Sequence, residues 1–201
     1  RLYEHDFGYA DHESKTENSG DTLFRVGGIT KQFTAAAVLR LVDAGKLDLK
    51  ARVSKYLPEY PSAGANITLH QLLSHTAGLP DYMSDPVLRQ RAAEPKASSS
   101  AGKLLELFWK LPLDFEPGSD FRYGDSDYAV LGAIIERVSG HSYADHMQRA
   151  VFEPFGLTRT TATTPAEEAK VARGYTAGGD SSLVSARSVD ASLAFAGAGV
   201  S

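Results

Sequence analysis

The sequence has no cysteine among its 201 residues, one tryptophan and two methionines. Without thiols, disulfides, thiolate nucleophiles and cysteine-ligated metals are all excluded. The compartment stays open, because a cysteine-free chain suits oxidising and reducing surroundings alike. Long apolar runs are also missing: no stretch approaches the roughly 18 residues that a membrane-spanning helix needs. The first residues show no basic segment followed by an apolar core. Basic excess is absent too. With 21 Lys and Arg against 25 Asp and Glu, the net charge is -4, so neither nucleic acid nor an anionic membrane is an expected partner. The six histidines, at positions 5, 12, 70, 75, 141 and 146, make no His-Glu-x-x-His pattern, and no metal site is expected from them.

What is present is globular. Hydrophobic residues make up 42% and charged residues 23%, with length for one large domain or two small ones. Loose alternation with Tyr3, Phe7 and Tyr9 predicts a strand over 2–10, followed by a polar turn over 11–20, as in a hairpin-like entrance. Phe33, Ala36, Ala37, Leu41 and Val42 recur at helical spacing and predict a helix over 29–44, stopped by Gly45. Thr68 caps a short helix carrying Leu69, Leu72 and Leu73, which ends before Gly78. Residues 94–102, rich in Ala, Ser and Pro, read as a flexible surface loop.

A helix is expected over 103–110, then an irregular crossing imposed by Pro112, Pro117 and Gly118. Ser126 or Asp127 is placed to cap a long helix running through Val138. Its apolar face is Val130, Leu131, Ile134, Ile135 and Val138, with Gly140 beyond its end. Another helix is expected over 142–151, stopped by Pro154 and Gly156. After Pro165 the periodicity is weak.

Two places carry chemistry-bearing residues. Attack on an ester or amide carbonyl needs a nucleophile, a base and donors for the developing oxyanion. Lys31, near the start of a helix, is a candidate base, since desolvation and the positive end of the dipole would disfavour its charged form. Spacing alone suits a solvated helix lysine as well. Tyr123, in the run Phe121-Arg122-Tyr123-Gly124-Asp125-Ser126 before the long helix, is a candidate proton shuttle to pair with Lys31. Taken alone, a tyrosine before a glycine also suits an ordinary turn.

Four segments in order carry a family resemblance. Phe24-Arg25-Val26-Gly27-Gly28-Ile29-Thr30-Lys31 resembles the Ser-x-x-Lys nucleophile helix of serine β-lactamases and penicillin-binding proteins. Ile67-Thr68-Leu69-His70-Gln71-Leu72-Leu73-Ser74-His75-Thr76-Ala77-Gly78-Leu79-Pro80 is similar to a second signature, and Phe115-Glu116-Pro117-Gly118 leads into Tyr123-Gly124-Asp125, similar to a Tyr-x-Asn loop. From Tyr3 to Ser201 the chain thus resembles the class C β-lactamase and penicillin-binding-protein-like hydrolases, a group that includes D,D-peptidases, D-amino-acid amidases and family VIII-type carboxylesterases.

The resemblance implies an α+β, β-lactamase/transpeptidase-like fold. Its helical region would span 46–170, and 1–45 with 171–201 would form part of an antiparallel sheet region flanked by helices and containing the active-site helix. It implies acyl transfer on a small-molecule ester, β-lactam or peptide, without metal or organic cofactor, in a periplasmic or extracellular setting ahead of a cytoplasmic one. Lys31 and Tyr123 would activate the serine, and the residue at position 125 would bind the substrate amide and the lysine. His75 would belong to a structural turn beneath the site.

The sequence departs from this pattern in three ways. Gly28 stands where the nucleophilic serine is expected, so no acyl-enzyme can form there, and Thr30 points to a different helix face. The Gly28 N–H remains as one of the family's two oxyanion donors, so substrate binding is expected to outlast the chemistry. Asp125 replaces Asn, and an ionised carboxylate only accepts hydrogen bonds; paired with Lys31 it would favour the charged lysine, a poorer base, although Asp is tolerated there in parts of the family. Finally, the chain stops before the family's Lys-Thr-Gly or His-x-Gly strand. Open sheet edges are therefore expected, covered by a complementary C-terminal segment or chain, or by a second copy in a homo-oligomer. Two readings follow: a serine hydrolase silenced at Gly28, or a natural pseudoenzyme that binds a cell-wall peptide or a protein partner.

Overall fold

The computed structural model describes residue 3 and residues 5–61, 64, 66–92, 101–162, 171–179, 182–186 and 191–201. Strand β1 (Tyr9–Asp11) pairs antiparallel with β2 (Thr16–Glu17) across an irregular register. The predicted strand over 2–10 is thus much shorter in its described part. Gly8, at φ 70°, turns the backbone out of the extended conformation just before β1, and Phe7 is exposed.

A single 3-10 turn at Gly27–Ile29 leads directly into α1 (Thr30–Asp43). Its buried residues are Thr30, Lys31, Thr34, Ala37, Val38 and Leu41, a stripe at helical spacing that faces the core. Helix α2 (Val53–Tyr56) is followed by α3 (Leu69–Leu73). Thr68 begins α3 with a complete capping box: its side chain accepts from the Gln71 N–H, and the Gln71 side chain accepts from the Thr68 N–H, satisfying two donors that the first turn would otherwise leave unpaired.

Helix α4 (Pro86–Ala92) precedes residues 93–100, so most of the expected 94–102 loop lies outside the described residues, and its last two positions open α5 (Ala101–Leu105). The helix expected over 103–110 starts earlier and ends at Leu105. Beyond it Leu107 and Phe108 donate to carbonyls three residues back, a tighter winding that turns Phe108 fully into the core.

Helix α6 (Ser126–Ser139) is the hub of the fold: every residue over 126–135 is buried, and it packs against α1, α2, α3, α5, α7 and α8. Over residues 128–135 the helix is apolar on all sides, and such a segment belongs in the middle of a domain. The N-cap residue is Asp125, with no side-chain capping bond, rather than Ser126 or Asp127. The Ser126 and Asp127 side chains are engaged elsewhere, as described below. Gly140 ends α6 in the left-handed conformation, φ 72°.

Helix α7 (Tyr143–Met147), capped by Ser142, winds on through a wide turn at Gln148–Phe152 and a 3-10 turn at Glu153–Phe155 to Gly156. The expected helix over 142–151 is therefore regular only in its first half. Strands β3 (Tyr175–Ala177) and β4 (Leu183–Ser185) form a second antiparallel pair, and α8 (Ala191–Ala198) is broken at Phe195, φ 30° and ψ -134°. Neither element was visible in the weak periodicity of this region. Single bridges knit distant segments together: Leu23 to Val171, and Ala162 to Val200. No helix among the described residues is long and apolar enough to cross a membrane.

Candidate active site

Lys31 lies on the buried stripe of α1 and is 5% exposed. The solvated-lysine reading therefore does not describe it. A buried ammonium needs partners to offset its lost hydration, and two are supplied. Nζ donates to Asp125 Oδ1 at 2.5 Å and to the Gly197 carbonyl oxygen at 3.1 Å. The same ammonium sits 4.6 Å from the centroid of the Tyr123 ring and 5.6 Å from that of Tyr128, within range for cation–π attraction.

The loop bearing Tyr123 and Asp125 is held by the second signature. The Arg122 N–H donates to the His75 carbonyl at 2.9 Å. Asp81 Oδ1 accepts from the Asp125 N–H at 2.7 Å, while Asp81 Oδ2 accepts from the Ser84 N–H at 3.0 Å. Gly124 passes so close that a Cβ there would lie 3.2 Å from the Asp81 carboxylate. Ser126 Oγ donates to the Pro80 carbonyl at 2.6 Å and accepts from the Tyr82 N–H at 3.1 Å. These bonds fix the start of α6 against residues 80–82.

His75 has a structural task with a specific geometry. It stands just beyond α3 at φ 58°. Its N–H bonds to the Leu72 carbonyl, and the Thr76 N–H bonds to that of Gln71, the Schellman pattern in which glycine is the usual occupant. Nδ1 lies 3.0 Å from Asp127 Oδ2, and the ring packs on those of Tyr123 and Tyr128 with centroids 4.7 and 5.1 Å apart. Asp127 Oδ1 is buried without a hydrogen-bond partner among the described residues. Burial pushes the Asp127 carboxyl up to about 6, only partly opposed by His75. Desolvation raises Tyr128 as well, with Asp127 adding to it.

Gly28 forms the middle of the 3-10 turn that precedes α1. A Cβ built there would overlap the Tyr123 hydroxyl, so Gly28, Lys31, Tyr123 and Asp125 share one locus. Nearby hydroxyls point away and are committed. Thr30 Oγ1 accepts from the Val200 N–H at 3.1 Å, and Thr34 Oγ1 donates to the Ala196 carbonyl at 2.7 Å. Chemically, the arrangement offers a fixed cation, a carboxylate and a phenol around a backbone without a side chain. Sequence reasoning missed Asp81, Asp127, Tyr128 and the Gly197 carbonyl. Asp81 directly follows the signature ending at Pro80, a position that could have drawn attention to it.

The sequence matches the Beta-lactamase family over residues 1–201. Penicillin-binding protein 4* of Bacillus subtilis is 34% identical over 159 residues, which cover 79% of this chain and 35% of that protein. Esterase EstB of Burkholderia gladioli is 34% identical over 170 residues, covering 78% and 42%. The D-amino acid amidase of Ochrobactrum anthropi superposes with a TM-score of 0.78 at 29% identity, over 96% of this chain and 55% of the amidase. The chain thus spans well under half the length of these two curated relatives, and its fold is β-lactamase/transpeptidase-like α+β, with helices and two small antiparallel strand pairs among the described residues. Sequence match and architecture agree, and the chain belongs to the β-lactamase family.

Proposed function

We propose that this chain carries the acyl-transfer site of a hydrolase acting on an ester, a β-lactam or a D-amino-acyl amide, with Gly28 in the position of the nucleophile and the serine route of turnover therefore lost. The observation that carries this reading is Lys31. A buried lysine held by a carboxylate and a carbonyl, beneath a phenol that reaches over position 28, is costly to maintain without a chemical or binding role. Relatives named as a penicillin-binding protein, an esterase and an amidase span the three bond types. The exposed Leu183 and Val184 of β4 support a further part of this reading, that a complementary segment or chain covers this sheet, as the greater length of the relatives would allow.

The Lys31–Asp125 pair favours a second reading. An ammonium bound to a carboxylate is a poor base, which suits a pseudoenzyme that retains a cell-wall peptide or a protein partner without cleaving it. Replacing Gly28 with serine separates the two. Hydrolysis of a short-chain nitrophenyl ester or a chromogenic cephalosporin is measured for the chain and for Gly28→Ser, each extended to the length of the relatives. Activity gained with the serine supports the hydrolase; inertness of both, with retained ligand affinity, selects the binding protein.

A further inference from the structure

Position 28 is not an empty notch. A Cβ built on Gly28 would overlap the Tyr123 hydroxyl oxygen and lie 3.7 Å from the ring carbon that bears it. The phenol therefore fills the volume that a side chain at 28 would take. Its ring centroid lies 4.6 Å from the Lys31 ammonium and 4.7 Å from the centroid of the His75 imidazole. The residue as a whole is nonetheless 54% exposed. The Thr30, Thr34 and Ser126 hydroxyls around it are all buried and hydrogen-bonded to backbone.

We propose that the Tyr123 phenol oxygen, seated in the space that a side chain at position 28 would fill, is itself an acyl acceptor and gives this chain a slow hydrolytic route of its own. The proposal rests on the reading of the locus as an acyl-transfer site. In the first step the phenol oxygen bonds to the substrate carbonyl carbon as the bond from that carbon to the leaving oxygen breaks. Lys31 gives a proton to the leaving group and takes the phenol proton in exchange. Water then cleaves the acyl-tyrosine, releasing the carboxylic acid and restoring the phenol.

The chemistry of a phenol sets the substrate class. Because a phenol leaves more readily than an alkanol or an amine, a tetrahedral adduct with an alkyl ester or an amide expels the tyrosine and returns to substrate. Only acyl groups with a leaving group at least as good as a phenol go forward: aryl esters and comparably activated acyl donors. The acyl-tyrosine is then itself an aryl ester, reactive enough for water to complete turnover.

The test is labelling with a fluorophosphonate, in which the tyrosine O–P bond forms and fluoride leaves with the phenol proton. Sites are read by intact mass and peptide sequencing. Tyr3, 82% exposed, and Tyr9, 42% exposed, are internal controls for simple accessibility. Tyr123 is expected to label at least about tenfold faster than Tyr3, a modest share of what a placed proton-transfer partner supplies. Tyr123→Phe removes that label. Gly28→Ala, whose methyl displaces the phenol without adding a nucleophile, lowers Tyr123 to the rate of Tyr3. Labelling of Tyr123 no faster than Tyr3, or unchanged by Gly28→Ala, overturns the proposal. If Gly28→Ser is then labelled at residue 28, the acyl-transfer reading stands while the tyrosine route falls; if no variant labels in the site, both fall.

Discussion

Gly197 and Asp125 are in such close approach that a Cβ on the glycine would lie 3.2 Å from the aspartate carboxyl carbon and overlap its Oδ1. That oxygen is the one bound to Lys31. Gly197→Ala should therefore push the carboxylate off the lysine, and overpacking of this kind costs about 1–3 kcal/mol. Denaturant midpoints of Gly197→Ala, Asp125→Ala and the double variant would measure it. A coupling above about 0.5 kcal/mol is expected for residues in contact, whereas strict additivity would show that the approach is tolerated.

Asp81 is the anchor of the loop that carries Tyr123. Asp81→Ala leaves the Asp125 N–H without its acceptor, a loss of about 1–3 kcal/mol if the donor stays dry. Amide exchange at Asp125 and Ser126 should accelerate while the middle of α6 remains protected. Asp81→Asn, which keeps an oxygen acceptor, should recover most of the loss. Equal exchange in all three proteins would remove Asp81 from this role.

The carboxyl of Asp127 gives a pH dependence of definite sign. Its ordinary value is 3.8, and burial pushes it up to about 6 in the folded chain. The folded state thus favours the protonated form: this contribution is fully present below about pH 4 and is lost as pH rises through about 6. Asn in its place keeps an acceptor for His75 and does not titrate. From pH 4 to pH 7 the stability of the native chain should fall relative to Asp127→Asn by on the order of 2 kcal/mol. Urea unfolding at several pH values checks this, and a constant difference would contradict it.

Much of the helical framework was legible because periodicity and end signals agreed. Phe33, Ala37 and Leu41 announced α1; Val130, Leu131 and Ile134, with Gly140 behind them, announced α6; Thr68 and Gln71 carry the capping pair that starts α3. The site was legible at Gly28, Lys31, Tyr123 and Asp125, and not in the groups that hold them in place. Spacing could not decide whether Lys31 was buried, since the answer lies in Asp125 and Gly197, each more than ninety positions away along the chain. The short run of small residues from Ala196 to Gly199 was a signal of close backbone approach, but one without a direction. The first strand failed for a local reason, the left-handed turn at Gly8.

The carbonyl that holds Lys31 belongs to a residue 166 positions later, and this separation has a consequence in time. A ribosome adding about 5–20 residues per second needs roughly 8–33 s to pass from the lysine to its carbonyl partner. Throughout that interval the nascent chain can wind α1 but cannot close the pocket around the ammonium. The pocket around the ammonium therefore waits on a residue made 166 positions after the lysine it holds.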